Sequence, residues 1–261
     1  MKATTAVRAF AAIASLLGAL GIAHAAEIRV YTSGAPAQAA KAIAEDFAKD
    51  TGDHPTFTVA QPAAIQRNLT AGDHADLVIL PRRVVMKLTD RGVLRKGSAV
   101  DIARVGIGVV VRDSAAAPNI ADAAAIRKLL LDAPSIVYPD PRSGGGSAGR
   151  TIARMIDKMG LTESVRPKLT LASAIGGGVA LVGDGKAAVG FFIISEIMPI
   201  QGVSLVGPLP PELQSYIVFS AAIPAANATP EPALAFIKRL AEPTAREVWQ
   251  KAGLEPEAVK P

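Results

Sequence analysis

The chain has 261 residues, half of them apolar, with no cysteine, three histidines, and 28 Lys and Arg against 23 Asp and Glu, a formal charge of +5. Without cysteine there is no disulfide framework, thiolate nucleophile or Cys-ligated metal, so a packed core must hold the fold. Aromatic residues are sparse and no basic run accompanies them, which speaks against nucleic acid as a partner.

Lys2 and Arg8 precede and open an apolar stretch from Ala9 to Ile22, which closes on Ala23-His24-Ala25-Ala26. That order is a secretory signal peptide's, so residues 1–26 are expected to be removed and the remainder to work in the periplasm. Loss of Lys2 and Arg8 leaves 26 basic residues against 23 acids, an excess of +3 that suits small anions. His54 and His74 are too few for a histidine zinc site. Neither a metal nor a cofactor is expected.

Glu27 to Tyr31 alternates as a strand, and Thr32 to Pro36 reads as a turn. A helix follows from about Ala37 to Lys49, with Ala40, Ile43, Ala44 and Phe47 on one face and Gly52 as its stop. Thr56 to Val59 is a second strand; Gln61-Pro62 opens a helix ending at Gly72. Asp76 to Leu80 is an apolar run of the kind that is buried on both faces of a parallel sheet. Helix and strand then alternate through Val84 to Arg91, Val105 to Arg112, Ala121 to Leu131, Ser135 to Tyr138, Gly149 to Met159, Leu169 to Leu171, Val179 to Gly183 and Ala188 to Ile194. Thr229 to Ala252 closes the chain with helices carrying a stripe of Leu234, Ile237, Leu240 and Trp249.

This alternation predicts an α/β protein with helices on both faces of mixed, mostly parallel sheets. Val105 to Arg112 and Ser204 to Pro211 sit where the chain can cross between two sheets. Two lobes are therefore expected, residues 27–104 with 205–261 forming one and 105–204 inserted as the other, joined by a hinge.

Ligands of open α/β sheets bind beyond the carboxyl ends of strands. Those positions hold Thr32-Ser33-Gly34, Gln61-Pro62, Pro81-Arg82-Arg83, Ser143-Gly144-Gly145-Gly146-Ser147 and Gly176-Gly177-Gly178. Glycine lets backbone N–H groups come close, and a helix N-terminus favours negative charge. The same glycines also serve as plain caps and turns. Gly144 to Thr151 nearly spells a nucleotide phosphate loop, but Arg150 stands where that loop needs lysine. A Ser-His-acid triad would have to use His54 or His74, both in polar surroundings.

The segments Ala64 to Leu80, Val137 to Leu161, Gly183 to Ile197, Leu205 to Ala222 and Ala233 to Pro256, in that order, resemble the periplasmic molybdate-binding proteins of ABC importers. The resemblance implies the two-lobed type II periplasmic binding-protein fold, a small anionic ligand, importer membrane subunits as partners, and a monomer. It also implies oxyanion contacts at Ala35, at Gln61-Pro62 and at Ile193, where this sequence lacks the family's two serine sites and its tyrosine. A molybdate-like oxyanion and a small carboxylate both stay open. The ligand is expected against Thr32, Ser33, Gly34, Gln61, Pro62, Ser143, Gly144, Gly145, Gly146, Ser147, Gly177 and Ser195. Some proteins of this kind look like aconitate isomerase instead. In that alternative Glu196, Arg150 and Ser33 would move the proton and hold carboxylates.

Overall fold

A computed structural model describes residues 25–142, 146–173 and 177–257. The signal peptide and Ser143-Gly144-Gly145 fall outside the described residues, apart from Ala25 and Ala26.

The first sheet is built from β1 (Glu27–Thr32), β2 (His54–Val59), β3 (Leu77–Pro81), β4 (Val100–Val105), β10 (Ile217–Ala222) and β11 (Glu255–Pro256), in the order β11-β4-β10-β3-β1-β2. β1 runs parallel to β2 and β3, whereas β10 is antiparallel to β3 and to β4. The second sheet holds β5 (Ile107–Arg112), β6 (Ile136–Pro139), β7 (Leu169–Ala172), β8 (Val189–Ile193) and β9 (Val203–Pro208), in the order β7-β6-β8-β5-β9. Here β6 is parallel to β7 and β8, and β5 antiparallel to β8 and β9. Both sheets thus repeat one plan: three parallel strands feeding helices, then an antiparallel return.

The helices are α1 (Gly34–Thr51), α2 (Pro62–Thr70), α3 (Arg82–Asp90), α4 (Ala123–Asp132), α5 (Gly146–Lys158), α6 (Thr162–Val165), α7 (Gly177–Gly183), α8 (Ile194–Ile197), α9 (Glu231–Ala241) and α10 (Arg246–Lys251). Strand side chains alternate between faces, and β3 shows the consequence. Leu77 and Ile79 join the core under α1, α9 and α10, while Val78 and Leu80 join Ile65 and Leu69 of α2 and Val85 and Leu88 of α3. β3 is buried at every residue because helices cover both its faces. The second sheet is sandwiched the same way, Val137 and Phe192 packing on Val179 and Val182 of α7, Ile136 and Phe191 on Ile152 and Ile156 of α5.

Four expectations change in detail. No turn separates β1 from its helix: α1 starts at Gly34, with Pro36 in its first turn. Proline is tolerated there because the first helical N–H groups have no intrahelical partner anyway. The run Val105 to Arg112 is two strands, broken at Gly106, and β4 and β5 lie in different sheets. A Cβ at Gly106 would stand 2.9 Å from the Gln214 amide, so any larger residue at the crossing displaces that side chain. β9 pairs wholly with β5, which carries the inserted unit's sheet to Pro208 rather than to 204. Leu234 is 43% exposed, and Phe236 fills the core in its place.

Candidate functional site

Parallel strands place their carboxyl ends together, so the helices that follow them begin at one edge. In the first unit β1 leads into α1, β2 into α2 and β3 into α3; in the second β6 leads into α5, β7 into α7 and β8 into α8. The two edges face each other. Ala148 of α5 and Ile193 of β8 belong to the first unit's buried core, with Ala35 and Ile194 packed against it. Beside that apolar contact lies a cleft of about 840 Å³, walled by Gln61 to Ala63 and Pro81 to Val84 on one side, and by Arg150, Thr151, Arg154, Met155 and Lys158 of α5 with the following Met159 on the other. Glu212 to Val218 form its floor.

That floor is the second crossing between the sheets, and Gln214 ties it to the first. Its Oε1 accepts from the Ile107 N–H (2.9 Å) and its Nε2 donates to the Ile107 carbonyl (3.0 Å). One side chain thus serves both backbone groups at the start of β5, the carbonyl also accepting from the Leu209 N–H at 2.9 Å. Arg104 of β4 lies 4.2 Å from the Tyr216 ring centroid and pairs with Glu255 of β11. Together these contacts define a two-segment hinge.

The candidate residues divide into groups. Gln61, Pro62 and Arg150 line the cleft. Gln61 caps α2 with extended backbone and leaves its side chain out of the cap, while Pro62 sets the first helical φ. Thr32 and Ser33 are buried and outside the cleft lining. The Ser33 N–H donates to the Ile79 carbonyl at 3.0 Å, and Thr32 Oγ1 donates to the Ser33 carbonyl at 3.1 Å. These two residues therefore lock β1 to β3 and start α1. Gly34 is the first residue of α1; Gly146 and Ser147 open α5 and Gly177 opens α7.

Two neighbouring glycines have a packing duty. A Cβ on Gly149 would meet the Pro139 carbonyl at 2.1 Å, and one on Gly178 would meet Ala172 and Phe192 at 2.6 Å. They let α5 and α7 start hard against the strand ends.

At the start of α8, Ser195 Oγ is buried with no hydrogen-bond partner among the described residues. Beside it Glu196 is partly buried and has no ion pair among the described residues, and burial pushes its carboxyl up to about 7. Such a group changes charge near neutrality. Arg154, Lys158 and Gln214 went unforeseen. The first two had a legible signal, cations four residues apart from Arg150 on a helix whose other face is apolar; a lone Gln214 had none.

Two α/β units, crossed twice by the chain and closing their strand ends on a common cleft, define a solute-binding protein. The chain belongs to the bacterial extracellular solute-binding protein family, whose model matches residues 28–255. It is 28% identical over 240 residues to the aconitate isomerase of a Pseudomonas species, covering 90% of this chain and 89% of that one. It is 25% identical over 250 residues to the molybdate-binding protein ModA of Escherichia coli K12, covering 93% and 94%. The periplasmic molybdate-binding protein of Azotobacter vinelandii superposes with a TM-score of 0.66 at 20% identity, over 90% of this chain and 99% of that one. At that identity the likeness speaks for the fold.

Proposed function

We propose that this protein is the periplasmic receptor of an ABC importer, a monomer that captures a small anion between its two units and presents the closed form to the membrane subunits. The observation that carries the proposal is the charge of the cleft: Arg82, Arg83, Arg150, Arg154 and Lys158 line it against Glu212 alone. The N-termini of α1, α2, α3 and α5 add their partial positive charge to the same edges. Closure follows from differential affinity, since an anion touching both walls binds the closed form better than the open one. Candidate contacts are Gln61, Pro62, Arg150 and the backbone N–H groups that open these helices, with Gly146, Ser147 and Gly177 at the mouth of the second unit. The positions where the resemblance implies oxyanion donors hold Ala35 and Ile193, both packed in carbon, which favours a carboxylate over molybdate.

A second reading, isomerisation of a tricarboxylic acid, is favoured by Glu196. A carboxyl poised near 7 can take up and return a carbon-bound proton, and the relative at 28% identity bears that activity's name. A thermal-shift screen of molybdate, tungstate, sulfate, citrate and cis- and trans-aconitate tests the first reading. A ligand at 100 times its Kd stabilises by about 2.7 kcal/mol, so at least one anion raises the melting temperature. If none does, the anion site is wrong. Following cis- and trans-aconitate by NMR decides the second: interconversion at micromolar protein supports an isomerase, and unchanged spectra dismiss it.

A further inference from the structure

Arg150, Arg154 and Lys158 recur every four residues along α5 and so share one face of the helix. All three line the cleft, while Ile152 and Ile156 are buried on the other side. At 1.5 Å per residue the cationic row is about 12 Å long. Across the cleft stand Arg82 and Arg83, in the first turn of α3.

These charges are poorly compensated. Arg82 pairs with Asp101 at 3.0 Å, but among the described residues Arg83, Arg150, Arg154 and Lys158 make no ion pair with a carboxylate. Among the described residues Arg150 and Arg154 donate to the carbonyls of Pro141 and Arg150. The one acid of the lining, Glu212, already accepts from the Ala123 N–H at 2.8 Å. Arg82 and Arg83 also sit at a helix N-terminus, the end that disfavours cations. The protein by itself gains nothing from crowding like charges in this way. A bound anion does.

The dimensions decide which anion. A tetrahedral oxyanion is satisfied by one ring of donors and cannot touch both ends of the α5 row. The cleft, about 840 Å³, falls in the size range of pockets for organic ligands. Nucleic-acid strands need stacking platforms as well as cations, and Tyr216 is the one aromatic side chain in the lining. Guanidinium forks match carboxylates in pairs of hydrogen bonds.

We infer that the ligand is an extended polycarboxylic acid with two or more carboxylates on one carbon chain, and that Arg154 and Lys158 set its length by gripping the carboxylates farthest from the helix N-termini. The inference rests on the anion-capture reading above and adds the ligand class and two residues that select it.

Isothermal titration tests it with citrate, trans-aconitate, phosphoglycolate, acetate, sulfate and molybdate, against the wild type and Arg154→Gln/Lys158→Gln. Both side chains are exposed, and unchanged Trp249 emission confirms that the variant is folded. The expected result is that citrate or trans-aconitate binds most tightly and that the double variant weakens it about tenfold or more. Lys87→Gln, on the outer face of α3, leaves the affinity unchanged. Tighter binding of molybdate, sulfate or phosphoglycolate than of either polycarboxylate overturns the inference while leaving anion capture standing. So does a double variant that holds citrate as the wild type does. No heat with any anion overturns both.

Discussion

Glu196 offers the sharpest physical prediction. Its carboxyl stands at about 7 against an ordinary 4.5, and the cause is burial. The folded protein therefore keeps a proton that the unfolded chain releases. Stability from this group is complete below pH 4.5 and is lost as pH rises to about 7. The displacement corresponds to about 3 kcal/mol at pH 8. Glu196→Gln has nearly the same shape and no charge to desolvate. The variant is therefore expected to match the wild type near pH 4.5 and to exceed it by about 3 kcal/mol at pH 8, or about 6–12 °C in melting temperature for a chain of this size. Urea denaturation at several pH values measures this directly, because Trp249 is the sole tryptophan and is fully buried. A gap between variant and wild type that does not widen from pH 5 to pH 8 would refute the reasoning and remove Glu196 as a proton carrier.

Other substitutions probe the frame of the cleft. Gly149→Ala forces a methyl group onto the Pro139 carbonyl, 2.1 Å from its ideal position; a loss of about 1–3 kcal/mol is expected from the urea midpoint. Gln214→Ala strips the Ile107 N–H of its partner and leaves the Ile107 carbonyl with the Leu209 N–H alone, which costs about 1–3 kcal/mol and broadens the range of hinge angles sampled, read as a larger radius of gyration by small-angle scattering. Asn227 bridges the Asp76 carbonyl and the Thr229 N–H from a buried position, so Asn227→Ala lowers stability by about 1–3 kcal/mol without altering anion affinity.

The alternation of strands and helices made the architecture legible before any coordinates, and β3 is the clearest instance: Leu77 to Leu80 cannot be anything but a strand covered twice. β4 was hidden because Val100 to Arg104 interleaves two charged residues that edge-facing pairs satisfy, Arg104 with Glu255 and Asp101 with Arg82. The cleft was legible in outline, since the strand-end rule alone leads to Gln61, Pro62, Arg82 and Arg83, which line it. Ser33 lies outside the cleft lining, its hydroxyl and amide both directed to the Ile79 carbonyl. Sequence cannot tell a serine that greets a ligand from one that closes a β-α junction. Nor does it mark Gln214, whose role depends on two crossing segments 107 residues apart meeting in space.

Absence of cysteine makes the central claim directly measurable. Lys87→Cys on α3 and Ser164→Cys near α5 put one spin label on each unit, at exposed positions outside the cleft lining. Pulsed electron resonance then reports the distance between units with citrate, trans-aconitate or molybdate at saturation. The account predicts that whichever anion binds shortens and narrows that distance; a saturating anion that leaves the distribution unchanged contradicts it.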